Sequence, residues 1–182
     1  MELRMTYFDA MKSTMEWLAT KDNTVFIGQA VAVPGTFMSQ TLRDIDINKR
    51  IEFPVAESFQ MQFSLGVALT YTGMCVISVY PRQNFLLLAT GDMVNMLDKV
   101  KDISQGRLNP HIIIRVAIGP DTPVHPGHQH VGDYGDAFKI MFKNTKVCQV
   151  KEPEEVFEVY KQAYENPGLY LIIETGNFYG QK

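Results

Sequence analysis

Apolar positions recur along this chain with two periods that take turns, and the alternation predicts the fold. Between residues 6 and 20, Phe8, Met11, Met15 and Leu18 are spaced three and four apart, which predicts an amphipathic helix capped by Thr6. Thr24-Val-Phe-Ile-Gly28 is a short apolar run closed by glycine and reads as a buried strand. Residues 35 to 47 are turn-rich, with a short helix expected from Ser39 to Asp44, and Ile51-Glu-Phe-Pro-Val55 is a second extended piece. Glu57 to Thr72 returns to helical spacing, and Met74-Cys-Val-Ile-Ser-Val79 is apolar enough for a fully buried strand. Asn84 to Ser104 predicts a long helix that breaks at Gly106 and Pro110. His111-Ile-Ile-Ile-Arg-Val116 is the clearest strand in the sequence. The stretch from Gly119 to Gly132 is dense in Gly, Pro and His; loops of this length in compact domains are commonly functional or mobile. Asp133 to Phe142 suggests a short helix, Lys146 to Val150 a strand, and Glu152 to Glu165 a helix started by Pro153. Leu169-Tyr-Leu-Ile-Ile173 is the last strand.

Helices alternating with β-branched strands predict an α/β three-layer sandwich, a mostly parallel sheet covered by helices on both faces. Ligands of such sheets sit at the carboxyl ends of the strands. Glu57, the His-rich loop and Glu174 all fall at strand ends, on edges the pattern leaves unassigned.

Length and composition narrow the class. The 182 residues suit a single domain spanning 1–182, and 46% hydrophobic with 20% charged residues is an ordinary globular balance. A net charge of -3 without a basic block argues against a nucleic-acid partner. Cys75 and Cys148 lie in apolar segments and read as small core residues, so no disulfide framework is expected and the cytoplasm is the expected compartment. The segment Met-Glu-Leu-Arg-Met-Thr6 has neither the apolar core nor the cleavage site of a signal peptide. Residues 58 to 81 carry no charge over a length that could cross a bilayer. Gln60, Gln62, Ser64, Thr70, Thr72 and Ser78 make the run too polar to face lipid, so a buried helix and a buried strand are expected instead of a membrane segment.

Glu57 is the residue with most to say about chemistry. A lone carboxylate heading an uncharged run must leave water, which is costly unless something protonates it or hydrogen-bonds to it. Held that way, it is suited to exchanging a proton with a ligand. The plainer reading is a helix-start acid favoured by the dipole. His125, His128 and His130 crowd one loop and admit three readings: a metal site completed by Asp133, a proton-transfer or substrate-orienting imidazole, or a solvated loop. No phosphate-binding glycine loop and no Gly-x-Ser-x-Gly elbow are present. Arg115, on an apolar strand, is expected to pair with a buried carboxylate, and Phe85 by itself reads as core.

Set in order, several pieces resemble a known family: Phe-Ile-Gly-Gln29, Phe-Pro-Val-Ala-Glu57, Gln83-Asn-Phe85 with Asp92-Met-Val-Asn95, Ile-Ile-Ile-Arg115, Gly-His-Gln129-His130, and Asn-Pro-Gly-Leu-Tyr-Leu-Ile-Ile-Glu174. From Thr6 to Gly180 the chain resembles the pyrimidine-binding domain of transketolase-like thiamine diphosphate enzymes, above all the beta subunit of 2-oxo-acid dehydrogenase and decarboxylase components. The resemblance implies an enzyme subunit, oxidoreductase or transferase, acting on a 2-oxo acid or ketose. It implies that Glu57 hydrogen-bonds the cofactor's aminopyrimidine and, as a neutral acid, favours the imino tautomer whose nitrogen deprotonates the thiazolium carbon. It also implies that Phe85 packs on the pyrimidine, that Gln29 lies beside the cofactor, and that His128 and His130 contact substrate, His130 as acid or base. Departures are Gln29 where glutamate is common, Gln83 in place of an aromatic, and Val131 in place of serine. The 182 residues hold no Gly-Asp-Gly diphosphate signature, and no carboxyl-terminal transketolase domain is expected. Magnesium and the diphosphate are therefore expected on an alpha-type partner subunit, in a heterotetramer or with this chain as a homodimer, and no metal on this chain. A regulatory or scaffold subunit that kept the fold is the alternative.

Overall fold

The computed structural model describes residues 5–180, so most of the N-terminal stretch searched for a signal peptide lies outside the described residues. Six strands form one sheet: β1 (Thr24–Gly28), β2 (Arg50–Glu52), β3 (Cys75–Tyr80), β4 (His111–Ile118), β5 (Lys146–Val150) and β6 (Leu169–Thr175). Their spatial order is β2-β1-β3-β4-β6-β5 and every pairing is parallel. The central strands are buried on both faces, as a parallel sheet between two helical layers requires. The three-layer α/β architecture is as the hydrophobic pattern predicts.

The two faces have separate cores. On one side α1 (Tyr7–Ala19) and α8 (Pro153–Glu165) bring Met11, Met15, Leu18, Val156 and Tyr160 against Phe26, Ile77, Ile113 and Ile172. On the other, α3 (Glu57–Thr70) and α7 (Gly135–Met141) bring Met61, Leu65 and Phe138 against Ile27, Val76, Ile114 and Ile173. Thr6 caps α1 as expected, accepting from Asp9 N at 3.1 Å, and Pro153 opens α8. Burial of each such aliphatic side chain stabilises by roughly 1.5–3 kcal/mol.

Three expectations need correction. The short helix α2 runs Phe37–Gln40, not Ser39 to Asp44, because Thr36 and Ser39 form a reciprocal capping box that fixes the start earlier. The long helix expected from Asn84 to Ser104 is broken into α4 (Gln83–Leu86), a 3₁₀ turn, α5 (Thr90–Asp92), a π turn (Met93–Leu97) and α6 (Val100–Ile103). Buried Leu86, Ala89, Met93 and Leu97 keep a helical spacing through those breaks, which is why the sequence reads as one helix. Finally, α3 is buried on one side only. Phe59 is 57% exposed, and with Phe53 and Phe63 it forms an aromatic cluster at ring separations of 5.2 to 6.4 Å.

Candidate active site at the carboxyl edge of the sheet

Because all six strands point the same way, the segments that leave them gather on one edge. β1 hands over to Gln29, β2 leads to Glu57, β3 to Pro81 through Phe85, β4 to the His loop, and β6 to the 3₁₀ turn Gly176–Gly180. Glu57, the His loop and Glu174 therefore share an edge, a point the sequence pattern left open.

Glu57 is the first residue of α3 and is 4% exposed. Ala56, in the cap position, offers no side-chain hydrogen bond, and the Glu57 carboxylate does not turn back to supply one. Instead Oε1 accepts from Gln29 Nε2 at 3.1 Å, while Oε2 takes no hydrogen bond from the described residues. Gln29 is itself buried. A neutral amide donates at this position, whereas a second carboxylate so close would repel the first. Gln29 thus furnishes the one hydrogen-bond partner of the Glu57 carboxyl group among the described residues. Tyr80 Oη donates to the Glu57 carbonyl at 3.3 Å, and Ser58 Oγ donates to the Leu88 carbonyl at 3.0 Å, fastening the start of α3 to the segment after Phe85.

Beneath Glu57 lies a polar file that the sequence reading missed. Gln60 Nε2 donates to the Val79 carbonyl at 2.9 Å and to Ser78 Oγ at 3.3 Å, and the Ser64 and Ser78 hydroxyls lie 3.0 Å apart. Gln60 Oε1 is buried without a partner. The signal was present as Gln60 and Ser64, four apart on one helix face and opposite a serine within an apolar strand. Gly28 makes the approach possible, since a Cβ there would stand 2.2 Å from Val79 O and 3.0 Å from Gln60 Nε2. A second missed residue is Glu52. Its carboxylate accepts four consecutive amides, Ala30 N (2.8 Å), Val31 N (3.0 Å), Ala32 N (2.7 Å) and Val33 N (3.1 Å), and so orders the loop that begins with Gln29. Ala30 sits there at φ 54°, a strained choice for alanine that this cradle holds in place.

Phe85 meets His130 edge to face, ring centroids 5.6 Å apart. His130 Nδ1 is buried without a partner. The segment before Phe85 pins the end of the His loop. Arg82 Nη1 donates to the carbonyls of Gly119 (2.9 Å) and His130 (3.0 Å); Gly132 N donates to Asn84 Oδ1 (3.1 Å); Tyr134 N donates to Gln83 Oε1 (2.6 Å). Gln83 is fully buried, and its Nε2 has no partner. The loop divides its histidines. His130 turns inward against Phe85, while exposed His128 meets His125 at 5.4 Å and His125 Nδ1 accepts from Gly127 N. Among the described residues no group of three or more His, Cys, Asp or Glu is gathered as a metal site. The structure therefore brings together Gln29 with Glu57, and Phe85 with His130, and leaves His128 apart.

Arg115 behaves as expected of a cation on an apolar strand. It forms a bidentate pair with Glu174, Nε to Oε1 at 2.6 Å and Nη2 to Oε2 at 3.2 Å, both side chains fully buried. Tyr160 Oη donates to Oε1 at 2.6 Å, and Tyr179 Oη donates to Oε2. Burial alone would lower the proton affinity of Arg115, but the adjacent Glu174 carboxylate reverses this and holds it well above its ordinary value. Burial, then Glu174, pushes both tyrosines upward, so they remain neutral donors.

With this geometry described, comparison with solved structures gives the fold its relatives. The structure of a split-gene transketolase, an inactive beta4 tetramer, superposes with a TM-score of 0.72 at 13% identity, over 94% of this chain and 52% of that one. The chain has a transketolase-like fold. It spans about half the length of that relative. No family model matches the chain, and no curated protein does. Among the described residues no helix is long and apolar enough to cross a membrane; the uncharged run from 58 to 81 folds as α3 and β3, as expected.

Proposed function

We propose that this chain is the pyrimidine-binding subunit of a two-chain thiamine diphosphate-dependent enzyme acting on a 2-oxo acid or ketose. The observation that carries the reading is Glu57, a buried acid at the carboxyl edge with one oxygen held by Gln29 and the other open. The residues fit an aminopyrimidine: an open carboxyl oxygen, an aromatic ring at Phe85, and buried orphan atoms at Gln83 Nε2 and His130 Nδ1 nearby in sequence and fold. When bound, thiamine diphosphate supplies the carbanion that attacks the carbonyl and the electron sink for bond cleavage. Glu57 would donate a hydrogen bond to the pyrimidine, Gln29 would keep that carboxyl oriented, Phe85 would pack on the ring, and His130 would move a proton at the substrate, with His128 as an outer contact. Diphosphate and magnesium would be held by an alpha-type partner, because this sequence carries no Gly-Asp-Gly signature. The aromatic cluster in which exposed Phe59 and Phe63 join half-buried Phe53 supports burial against other chains in a homodimer or heterotetramer. Replacing Glu57 by Ala should abolish turnover by the assembled enzyme with the fold intact; unchanged turnover would end the assignment.

A regulatory or scaffold subunit is the second reading, and Gln29 favours it, since no second carboxylate stands beside Glu57. Measuring thiamine diphosphate affinity of the partner with and without this chain separates the two, because a scaffold leaves that affinity unchanged.

A further inference from the structure

A cavity of about 460 Å³ opens at the same sheet edge but on the α1/α8 side, across the sheet from α3 and away from Glu57. Its volume lies within the range of small-molecule sites. The wall is largely apolar: Met38, Pro81, Ala117 and Pro120, with Phe37 stacked on Tyr179 at 5.9 Å and nearly parallel. Gly176 closes one side and could carry no larger residue, since a Cβ would stand 2.4 Å from Ile118 O. Polar lining is sparse: besides Arg82 there are Gln40 and Thr36, and the Thr36 hydroxyl is already committed to the cap of α2.

The one charged side chain on this wall is Arg82. Its Nη1 is held by the Gly119 and His130 carbonyls, both uncharged acceptors. No carboxylate pairs with it among the described residues, and its remaining N–H groups meet no acceptor there. A half-buried guanidinium without a counter-ion, facing an apolar chamber, is an incomplete arrangement. We propose that this cavity binds a small organic monoanion with an apolar body, its carboxylate on Arg82 and its body against Phe37, Met38 and Tyr179. A polyhydroxylated anion would find too few hydrogen-bond partners on this wall to replace its hydration.

The site is independent of Glu57, and the test keeps the two apart. The chain labelled with methyl-¹³C methionine is titrated with 3-phenylpropanoate, and in parallel with neutral 3-phenylpropanamide and with gluconate. The expected result is a saturable shift of the Met38 methyl resonance, none at Met141, and much weaker effects from the two controls. Arg82→Met should weaken 3-phenylpropanoate binding by about 10-fold or more. Gly35→Leu should weaken it as well, because Gly35 lines the cavity and an added Cβ there meets no atom within 4 Å, so the larger side chain is accommodated and narrows the space. This second variant leaves Arg82 and its loop contacts intact, so it decides the matter if the first does not fold. Glu57→Gln should bind as the wild type does. Equal binding of the amide, an unmoved Met38, unaltered affinity in Gly35→Leu, or loss of binding in Glu57→Gln would overturn the proposal.

Discussion

Glu174 and Glu57 are both carboxylates withdrawn from water at the carboxyl edge of one sheet, and their surroundings differ in kind. Each oxygen of Glu174 accepts twice, from Arg115 Nε and Tyr160 on one side and from Arg115 Nη2 and Tyr179 on the other. Glu57 accepts once, from Gln29, and its second oxygen is open. The first acid has no lone pair left for a ligand; the second keeps a whole oxygen, Oε2, open. Burial alone does not distinguish the two acids. The count of satisfied lone pairs does.

The contrast breaks first at Glu174. Glu174→Gln leaves the Arg115 charge buried without a counter-charge and should cost about 3–5 kcal/mol. For a chain of this size that lowers Tm on the order of 10 °C. The double variant Arg115→Met with Glu174→Leu should recover most of the loss, and calorimetry reads both. An unchanged Tm in Glu174→Gln would remove the difference between the two acids.

A smaller effect is expected at Asp98, a third buried carboxylate with a purely structural set of partners. It accepts from the amides of Lys143 (3.0 Å), Asn144 (2.9 Å) and Thr145 (2.7 Å), and from the Thr145 hydroxyl (2.9 Å). Asp98→Ala should cost about 2–4 kcal/mol in denaturant unfolding, since it orphans several donors at once. Burial pushes the Asp98 carboxyl up, but these hydrogen bonds outweigh it and hold it below the ordinary 3.8. Its contribution is therefore complete above that pH and lost as pH falls through the lower folded-state value, so wild type and variant should converge in strong acid.

At the amino edge His111 supplies a milder contrast. It is buried, its Nε2 lies 2.8 Å from the Ala163 carbonyl, and Cys75 Sγ is 3.5 Å away, its thiol pushed up to about 12 by burial. Burial lowers the His111 proton affinity below the ordinary 6.5, with the Ala163 hydrogen bond opposing in part. The neutral ring thus stabilises the fold fully above pH 6.5, and that contribution fades as pH falls toward the folded value. His111→Gln should flatten the loss of stability below pH 6.5; an unchanged slope would place the acid sensitivity elsewhere.

Smallest of all is the expected stability change at Glu57. Glu57→Gln keeps an acceptor for Gln29 Nε2 in a side chain with no other partner among the described residues, and should shift unfolding by less than about 1 kcal/mol.

Much of this was legible along the chain. The strands Thr24–Gly28 and Lys146–Val150 have the bounds the apolar pattern gives, and the doubly buried runs at 75–80 and 111–118 pointed to a parallel sheet. Glu57 stood out because a single charge preceded two dozen uncharged residues. What could not be read were partners distant in sequence. Asp98 meets residues 45 to 47 positions away, and Glu52 meets a loop about 20 residues before it. Spacing rules see neighbours three or four apart and nothing beyond. The fractured helix from 83 to 103 escaped for another reason: its buried face is periodic, while the departure of Ala89 from helical geometry (φ −97°, ψ 5°) and the π turn at Met93–Leu97 reset the backbone without disturbing that face.

The central claim, that Glu57 is an acid kept open for a pyrimidine, is tested most directly by deuterium exchange at the thiazolium carbon of thiamine diphosphate. The measurement is made in the complex of this chain with its diphosphate-binding partner, comparing wild type with Glu57→Gln. The account predicts exchange slowed by on the order of 100-fold or more in the variant, with Tm nearly unchanged. Exchange at the wild-type rate in Glu57→Gln would contradict it.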